Sequence, residues 1–515
     1  MGDRQEFERR FREADDNLSA LTDEDARAAI EAARNLNADG VLNQDSVNSL
    51  AAGTLIDAGV VARDPSAIDE GIARFELLLA AMPERGDLEY CLANGLSAKA
   101  DLVSENAPGW YLSTAQARRR ARRLYQSAGE RESTTPSVAA QSFTNLGNSL
   151  LRAYRLVEAY DYYARAIELD RSNGVALTGA AKALLLLVQN GVGDRNVLPG
   201  VAAKYLMMAR EDPQRIRELA GEYGYQQIRP LLEADVPQGD FPDLSCASDY
   251  QQFVAENRLS LAPTIEGLDV SLRRWDSFLI GSLVEPITAG PGAPPLFAMF
   301  NVLKSEFLVA RYLAFAGLRD DLPESGNYTD TLDYADYGVQ PAALTLAQRA
   351  CIDILDKVAV AASEYLGLPG DPKQVSFLNR WFEPRSRSEP PMLQKEIATE
   401  ISAGNHALIA IAEVSGDIEA GGYLEDKRDL RNSSTHRFTV LHDMGGTPVR
   451  KSKYVDHFDS RAFVRQLLET LRLVRAVLLY LAEMITIREH RLLKATPPLP
   501  SMTLPDHDWV RGRDL

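Results

Sequence analysis

Between Phe143 and Asn173 the chain carries the pattern of two helices that touch along their length. Phe143, Leu146, Gly147 and Leu150 recur at spacings of three and four, the helical period, and Ala159, Tyr163 and Ala166 repeat it after a short break. Small residues at Gly147 and Ala159 let the two axes approach closely, and the large ones fill the gap to a neighbouring pair. A lone hairpin of this kind cannot bury its apolar face, so the pattern calls for further copies stacked on it. Degenerate copies are present. One runs through Leu55, Ala58 and Gly59, then Gly71, Phe75, Leu78 and Pro83. Another first helix covers Tyr90–Leu96, and a further pair covers Val175–Gln189 and Val201–Arg210, closed near Pro213.

The Phe143–Asn173 unit resembles a tetratricopeptide repeat, with Arg171 where the closing proline commonly stands. The resemblance implies an α-solenoid with a concave face for a protein or peptide, hence a sensing or docking half. The plainer alternative is a scaffold for dimerisation. In the same half, Arg118-Arg119-Arg120-Ala121-Arg122-Arg123 stacks two i,i+4 pairs of arginines. The run reads either as a phosphate track or as a solvated face balancing acidic neighbours.

Ala234–Ser245 is rich in Pro, Asp and Gly, and beyond it the repeat pattern stops. The expected organisation is a helical repeat domain over 1–235, a linker over 236–245, a second domain over 246–495 and a proline-rich tail over 496–515. In the second domain, helical spacing appears in Phe300–Gly317, Cys351–Tyr365, Ala407–Val414 and Phe463–Ile485, separated by long loops. The expected class is all-α, a solenoid followed by an irregular helical bundle. No apolar run is long enough to cross a bilayer, and the charged first 16 residues do not read as a secretory signal. Cys91, Cys246 and Cys351 lie far apart, which fits neither a disulfide framework nor a zinc motif and suits a reducing cytoplasm.

A net charge of −17 excludes non-specific coating of nucleic acid, so any RNA chemistry must use local basic groups. The window Leu424–Tyr454 offers seven basic residues against four acidic ones. Within it, Arg431 and His436 stand five positions apart. A histidine can give or take a proton near neutrality, and an arginine forks onto phosphate oxygens. Metal-free RNA cleavage needs that pair. The bland reading is an arginine on a solvated helix face and a histidine near a helix end. No phosphate loop, H-E-x-x-H or Cys-x-x-Cys is present, and the other histidines, among them His442 and His457, lack metal-ligand spacing. No cofactor and no metal are expected.

The hexapeptide Arg431-Asn432-Ser433-Ser434-Thr435-His436 resembles the signature of HEPN domains. Further blocks resemble the HEPN subgroup that carries tetratricopeptide repeats in front: Phe253–Leu259, Lys304–Phe307 with Ala310–Tyr312, Asp330–Tyr334 and Ile354–Lys357. The resemblance covers roughly 245–490. It implies a helical bundle with metal-independent endoribonuclease activity, a composite site formed by a dimer, and a place among toxins or anti-phage effectors. Carried over, Arg431 and His436 are the catalytic pair, and Asn432 orients the histidine or the substrate. Arg437, Arg428 and Lys427 are expected to meet substrate phosphates. Lys304, Glu306 and Arg311 form either a cluster supporting the site or a surface ion network. The expected partners are RNA, a second copy of the chain and a protein or peptide trigger, with no membrane. The alternative is an inactive HEPN and repeat scaffold used as an interaction module.

Overall fold

The computed structural model describes residues 2–104, 109–237, 245, 247–265, 275–285, 292–319, 322–383, 391–427, 437–443, 452–495 and 502–504. The repeat half contains α1 (Gly2–Glu24), α2 (Ala26–Asn35), α3 (Gln44–Ala62), α4 (Pro65–Ala81), α5 (Gly86–Ser104) and α6 (Trp110–Ser113). It continues with α7 (Ala115–Glu130), α8 (Pro136–Arg152), α9 (Leu156–Leu169), α10 (Gly174–Gln189), α11 (Val197–Arg210) and α12 (Pro213–Glu233). The second half contains α13 (Asp249–Glu256), α14 (Pro295–Arg319), β1 (Ala335–Asp336), α15 (Val339–Leu366), α16 (Lys395–Ser402) and α17 (Ala407–Ile418). Strands β2 (Phe438–His442) and β3 (Val455–Asp459) then lead into the long helix α18 (Ser460–Ala495).

Helix starts in the repeat half reuse one device. Asp64-Pro65, Thr135-Pro136 and Asp212-Pro213 each place a side-chain cap directly before a proline at the first helical position. There the missing N–H costs nothing and the fixed φ suits the helix. The hairpins expected from sequence form as α3–α4, α8–α9 and α10–α11, and the first helix at Tyr90–Leu96 is part of α5, which pairs with α7. A Cβ on Gly147 would stand 2.7 Å from the Tyr163 ring, so the α8–α9 approach requires glycine there. The same ring lies 2.4 Å from the position a Cβ would take on Gly179 of α10. Tyr163 is thereby the fully buried filler between three helices.

The four helices expected in the second half form as α14, α15, α17 and α18. The class is all-α, with one addition. β1, β2 and β3 make a small sheet in that order, β1 antiparallel to β2 and β2 parallel to β3. Helix α18 is the centre of the bundle, not an outer face. Every residue from Leu473 to Ile485 is buried, packed among α14, α15, α17 and α9. The chain thus covers the apolar residues of Phe463–Ile485 itself and leaves no face there for a second copy.

The two halves share one hydrophobic core that runs from Ala52 to Ile485. The repeats are docked on the bundle and do not project from it. The arginine run explains the docking. Arg118 and Arg122 are buried, so that side of the run is neither a phosphate track nor solvated, while Arg120 and Arg123 stay exposed and pair with Glu76 and Glu425. Arg118 Nη2 donates to Glu413 Oε1 at 2.7 Å, and Arg122 Nη2 donates to Glu413 Oε2 at 2.7 Å and to Asp417 Oδ1 at 2.9 Å. Arg155 of the repeat half also pairs with Asp417 and donates to Tyr423 Oη at 2.7 Å. Glu158, beside it, accepts from Tyr423 at 2.9 Å and from Tyr480 at 3.2 Å. Three buried arginines of the repeat half thus meet the buried Glu413 and Asp417 across the junction, with the buried Glu158 on their own side. Burial alone would raise the Glu413 carboxyl, but Arg118 and Arg122 override it and hold the group below the usual carboxylate range.

Candidate active site

Residues 428–436 lie outside the described residues, so Arg428, Arg431, Asn432 and His436 carry no geometry here. The chain on either side of them is well anchored. On the entering side, Leu424 N–H donates to the Asp417 carbonyl at 3.0 Å, which ties the segment to the end of α17. Lys427 is 1 % exposed. Its ammonium donates to Asp426 at 2.7 Å and to Glu469 of α18 at 2.9 Å. Burial would lower its pKa, but the two carboxylates raise it, so the group stays charged and locked. This placement makes Lys427 a fastening of the motif segment to α18; its charge faces no open surface.

On the leaving side, Arg437 is exposed and pairs with Asp456 at 3.1 Å. Phe438 N–H donates to the Tyr454 carbonyl at 2.8 Å and opens β2. β2 runs in register with β3, and β3 passes directly into α18, where Asp459 Oδ1 accepts from Ala462 N–H at 2.8 Å. Both ends of the motif segment are therefore referred to one rigid helix. The rim of the sheet exposes Phe438, Tyr454, Leu332 and Tyr334.

The remaining expected site residues separate into two groups. Lys304 Nζ donates to the carbonyls of Asp276 at 2.5 Å and Phe278 at 2.8 Å. Arg311 forks onto Asp276 at 2.9 and 2.6 Å and also donates to the Leu259 carbonyl at 2.8 Å. The two form a partly buried cluster, with Arg311 itself buried, that fixes the chain around Asp276 to α14. Glu306 does not join it. It pairs with Lys357 of α15 at the surface.

Sequence reasoning treated the histidines singly, and the sheet brings two of them together. His442 Nε2 and His457 Nδ1 are 2.8 Å apart, and His442 Nδ1 lies 3.0 Å from the Asp333 carbonyl. Ligand atoms of Asp333, His442 and His457 all fall within 4.8 Å of one another. The linear spacing of these histidines does not show the grouping; strand register brings it about. The signal was the alternation in Phe438-Thr439-Val440-Leu441-His442 and Val455-Asp456-His457-Phe458-Asp459, which places a histidine on one face of each strand.

Residues 287–488 match the family model described as LA2681-like HEPN. The matched segment contains α14 to most of α18 and encloses Arg431–His436; the Phe253–Leu259 block lies before it. The match supports a HEPN domain in this region, and HEPN domains are generally nuclease folds that act on RNA. Neither a curated protein nor a solved structure matches the chain. Among the described residues, no helix is long and apolar enough to cross a membrane.

Proposed function

We propose that the chain is a metal-independent endoribonuclease whose cleavage site is built from Arg431, Asn432 and His436. The observation that carries this reading is the HEPN match enclosing an arginine, a polar residue, three further residues and a histidine. His436 takes the proton from a ribose 2′-hydroxyl, or returns one to the leaving 5′-oxygen. The 2′-oxygen attacks phosphorus, the bond to the 5′-oxygen breaks, and a 2′,3′-cyclic phosphate and a 5′-hydroxyl result. Arg431 steadies the charge that grows on the phosphoryl oxygens. Asn432 orients the imidazole or the substrate, and Arg428 and Arg437 extend the phosphate contacts.

One motif supplies one histidine, whereas this displacement uses both a base and an acid. A two-fold pair of chains brings the second histidine to the same cleft. Since α18 is enclosed, the contact falls to the sheet rim with Phe438, Tyr454, Leu332 and Tyr334, adjacent to the motif. In this reading the 1–235 repeats sense a protein or peptide trigger, and the buried junction passes the signal to the 246–495 domain. The biological role is a toxin or anti-phage effector acting in the cytoplasm. Sequencing RNA ends from cells that make the protein tests the reaction. New 2′,3′-cyclic phosphate and 5′-hydroxyl ends are expected, with the same cuts made in vitro in EDTA. Ends bearing 5′-phosphate, or no new ends, would refute it.

A further inference from the structure

The register of the small sheet sets up a site of a different kind. In the parallel pair, Val440 of β2 lies opposite His457 of β3, so His442, two residues on, shares the face of His457. In the antiparallel pair, His442 lies opposite Ala335, which brings the Asp333 turn over the same face. Leu332 and Tyr334 both hold φ near +58°, at 58° and 57°, a conformation that bulky residues seldom adopt, and they bracket Asp333. His442 is 6 % exposed, while Asp333 and His457 are half-buried.

The hydrogen bonds fix which nitrogen is free. A carbonyl only accepts, so His442 Nδ1 carries the proton that goes to Asp333 C=O at 3.0 Å. In the neutral ring, Nε2 is then a bare lone pair, and it points at His457 Nδ1 2.8 Å away. An imidazole N–H held by a main-chain carbonyl is how proteins orient metal-ligating histidines. The Asp333 carboxylate is held in turn, accepting from the Thr331 hydroxyl at 2.5 Å, as ligating carboxylates are.

We propose that Asp333, His442 and His457 bind a late first-row divalent cation, with zinc as the probe. Two nitrogens and one carboxylate oxygen suit zinc and its neighbours, whereas magnesium and calcium favour oxygen-only sites. Ligand nitrogens on tetrahedral zinc sit about 3.4 Å apart, given bonds of about 2.05 Å, so the two rings need to part by about half an ångström. His457 moves its ring proton to Nε2 as Nδ1 takes the ion, and water completes the shell. The ion pins β1, β2 and β3 together, two residues beyond His436. It fastens the end of the motif segment and takes no part in cleavage, so the proposal stands or falls apart from the ribonuclease reading.

The test uses the full chain, stripped with EDTA and dialysed, then titrated with zinc by calorimetry and melted with and without it. One zinc per chain is expected, with a rise in melting temperature and no matching response to magnesium. Asp333→Asn and His457→Ala, both at half-buried positions, and His442→Ala should each bind at least about tenfold more weakly and lose the thermal response. His436→Ala should bind zinc as the parent does. The proposal is overturned if the parent shows no saturable binding, or if Asp333→Asn and His457→Ala bind as tightly as the parent.

Discussion

Replacing Asp417 by asparagine should break the junction between the two halves. Asp417 is fully buried and accepts from Arg122 at 2.9 Å and from Arg155, both also fully buried. In the native junction, Arg118, Arg122 and Arg155 face Glu158, Glu413 and Asp417, so the charges balance. Asparagine keeps the volume and removes one negative charge, which leaves three buried guanidiniums facing two carboxylates, Glu158 and Glu413. Removing one member of a buried ion pair costs about 3–5 kcal/mol. Against a whole-fold stability on the order of 5–15 kcal/mol, that is a large share. The control is Arg123→Ala, which removes an exposed pair with Glu425 and should cost no more than about 1 kcal/mol. Urea unfolding followed by circular dichroism reads both changes. Limited proteolysis should also quicken in Asp417→Asn alone. The reasoning is refuted if the midpoint of Asp417→Asn moves no further than that of Arg123→Ala. The same junction predicts acid sensitivity. A carboxyl depressed in the folded state, as Glu413 is, stabilises above its unfolded pKa, and that stability is lost as the pH falls through the folded value.

Glu483 should behave in the opposite way. It is buried against Asn190, and burial raises its pKa to about 7. The folded state therefore keeps a proton that the unfolded chain gives up near pH 4.5, so stability declines from there to about pH 7 and is level above. Glu483→Gln should remove that slope and stabilise at pH 8 by roughly 3 kcal/mol, read from urea midpoints across pH; an unchanged slope would count against it. Gly147→Ala should destabilise by about 1–3 kcal/mol in thermal melts despite the better helix propensity of alanine, because the new methyl meets the Tyr163 ring; a gain in melting temperature would contradict the packing argument. Phe438→Ser combined with Tyr454→Ser should shift the chain toward monomer in light scattering while leaving its unfolding midpoint nearly unchanged. A dimer of unaltered affinity would exclude the sheet rim as the contact.

The helices were legible because their apolar residues repeat at the helical period over several turns. α8–α9, α14, α15 and α18 all contain the stretches read from sequence. α12 was not, since Gly221, at φ 68°, and Pro230 interrupt its pattern. The sheet was hidden for a different reason. Its strands hold two to five residues, and Ala335 finds His442 across more than a hundred positions. The arginine run was visible but its meaning was not. Arg118 and Arg122 meet carboxylates 291 and 295 residues away, and local sequence can only assign such a run to solvent. The same blindness applied to Lys427, whose partner Glu469 lies on another helix 42 residues on. The Arg431–His436 motif was legible as a residue pattern, and the structure adds the anchors on either side of it.

The central claim is that His436 and Arg431 cleave RNA, and the most direct measurement is the rate of cleavage of a labelled RNA in EDTA. Parent, His436→Ala and Arg431→Ala are compared after matched melting curves establish that each is folded. The account predicts metal-free cleavage by the parent to 2′,3′-cyclic phosphate ends, slowed on the order of 100-fold or more in each variant. Equal rates in the parent and a folded His436→Ala would contradict it.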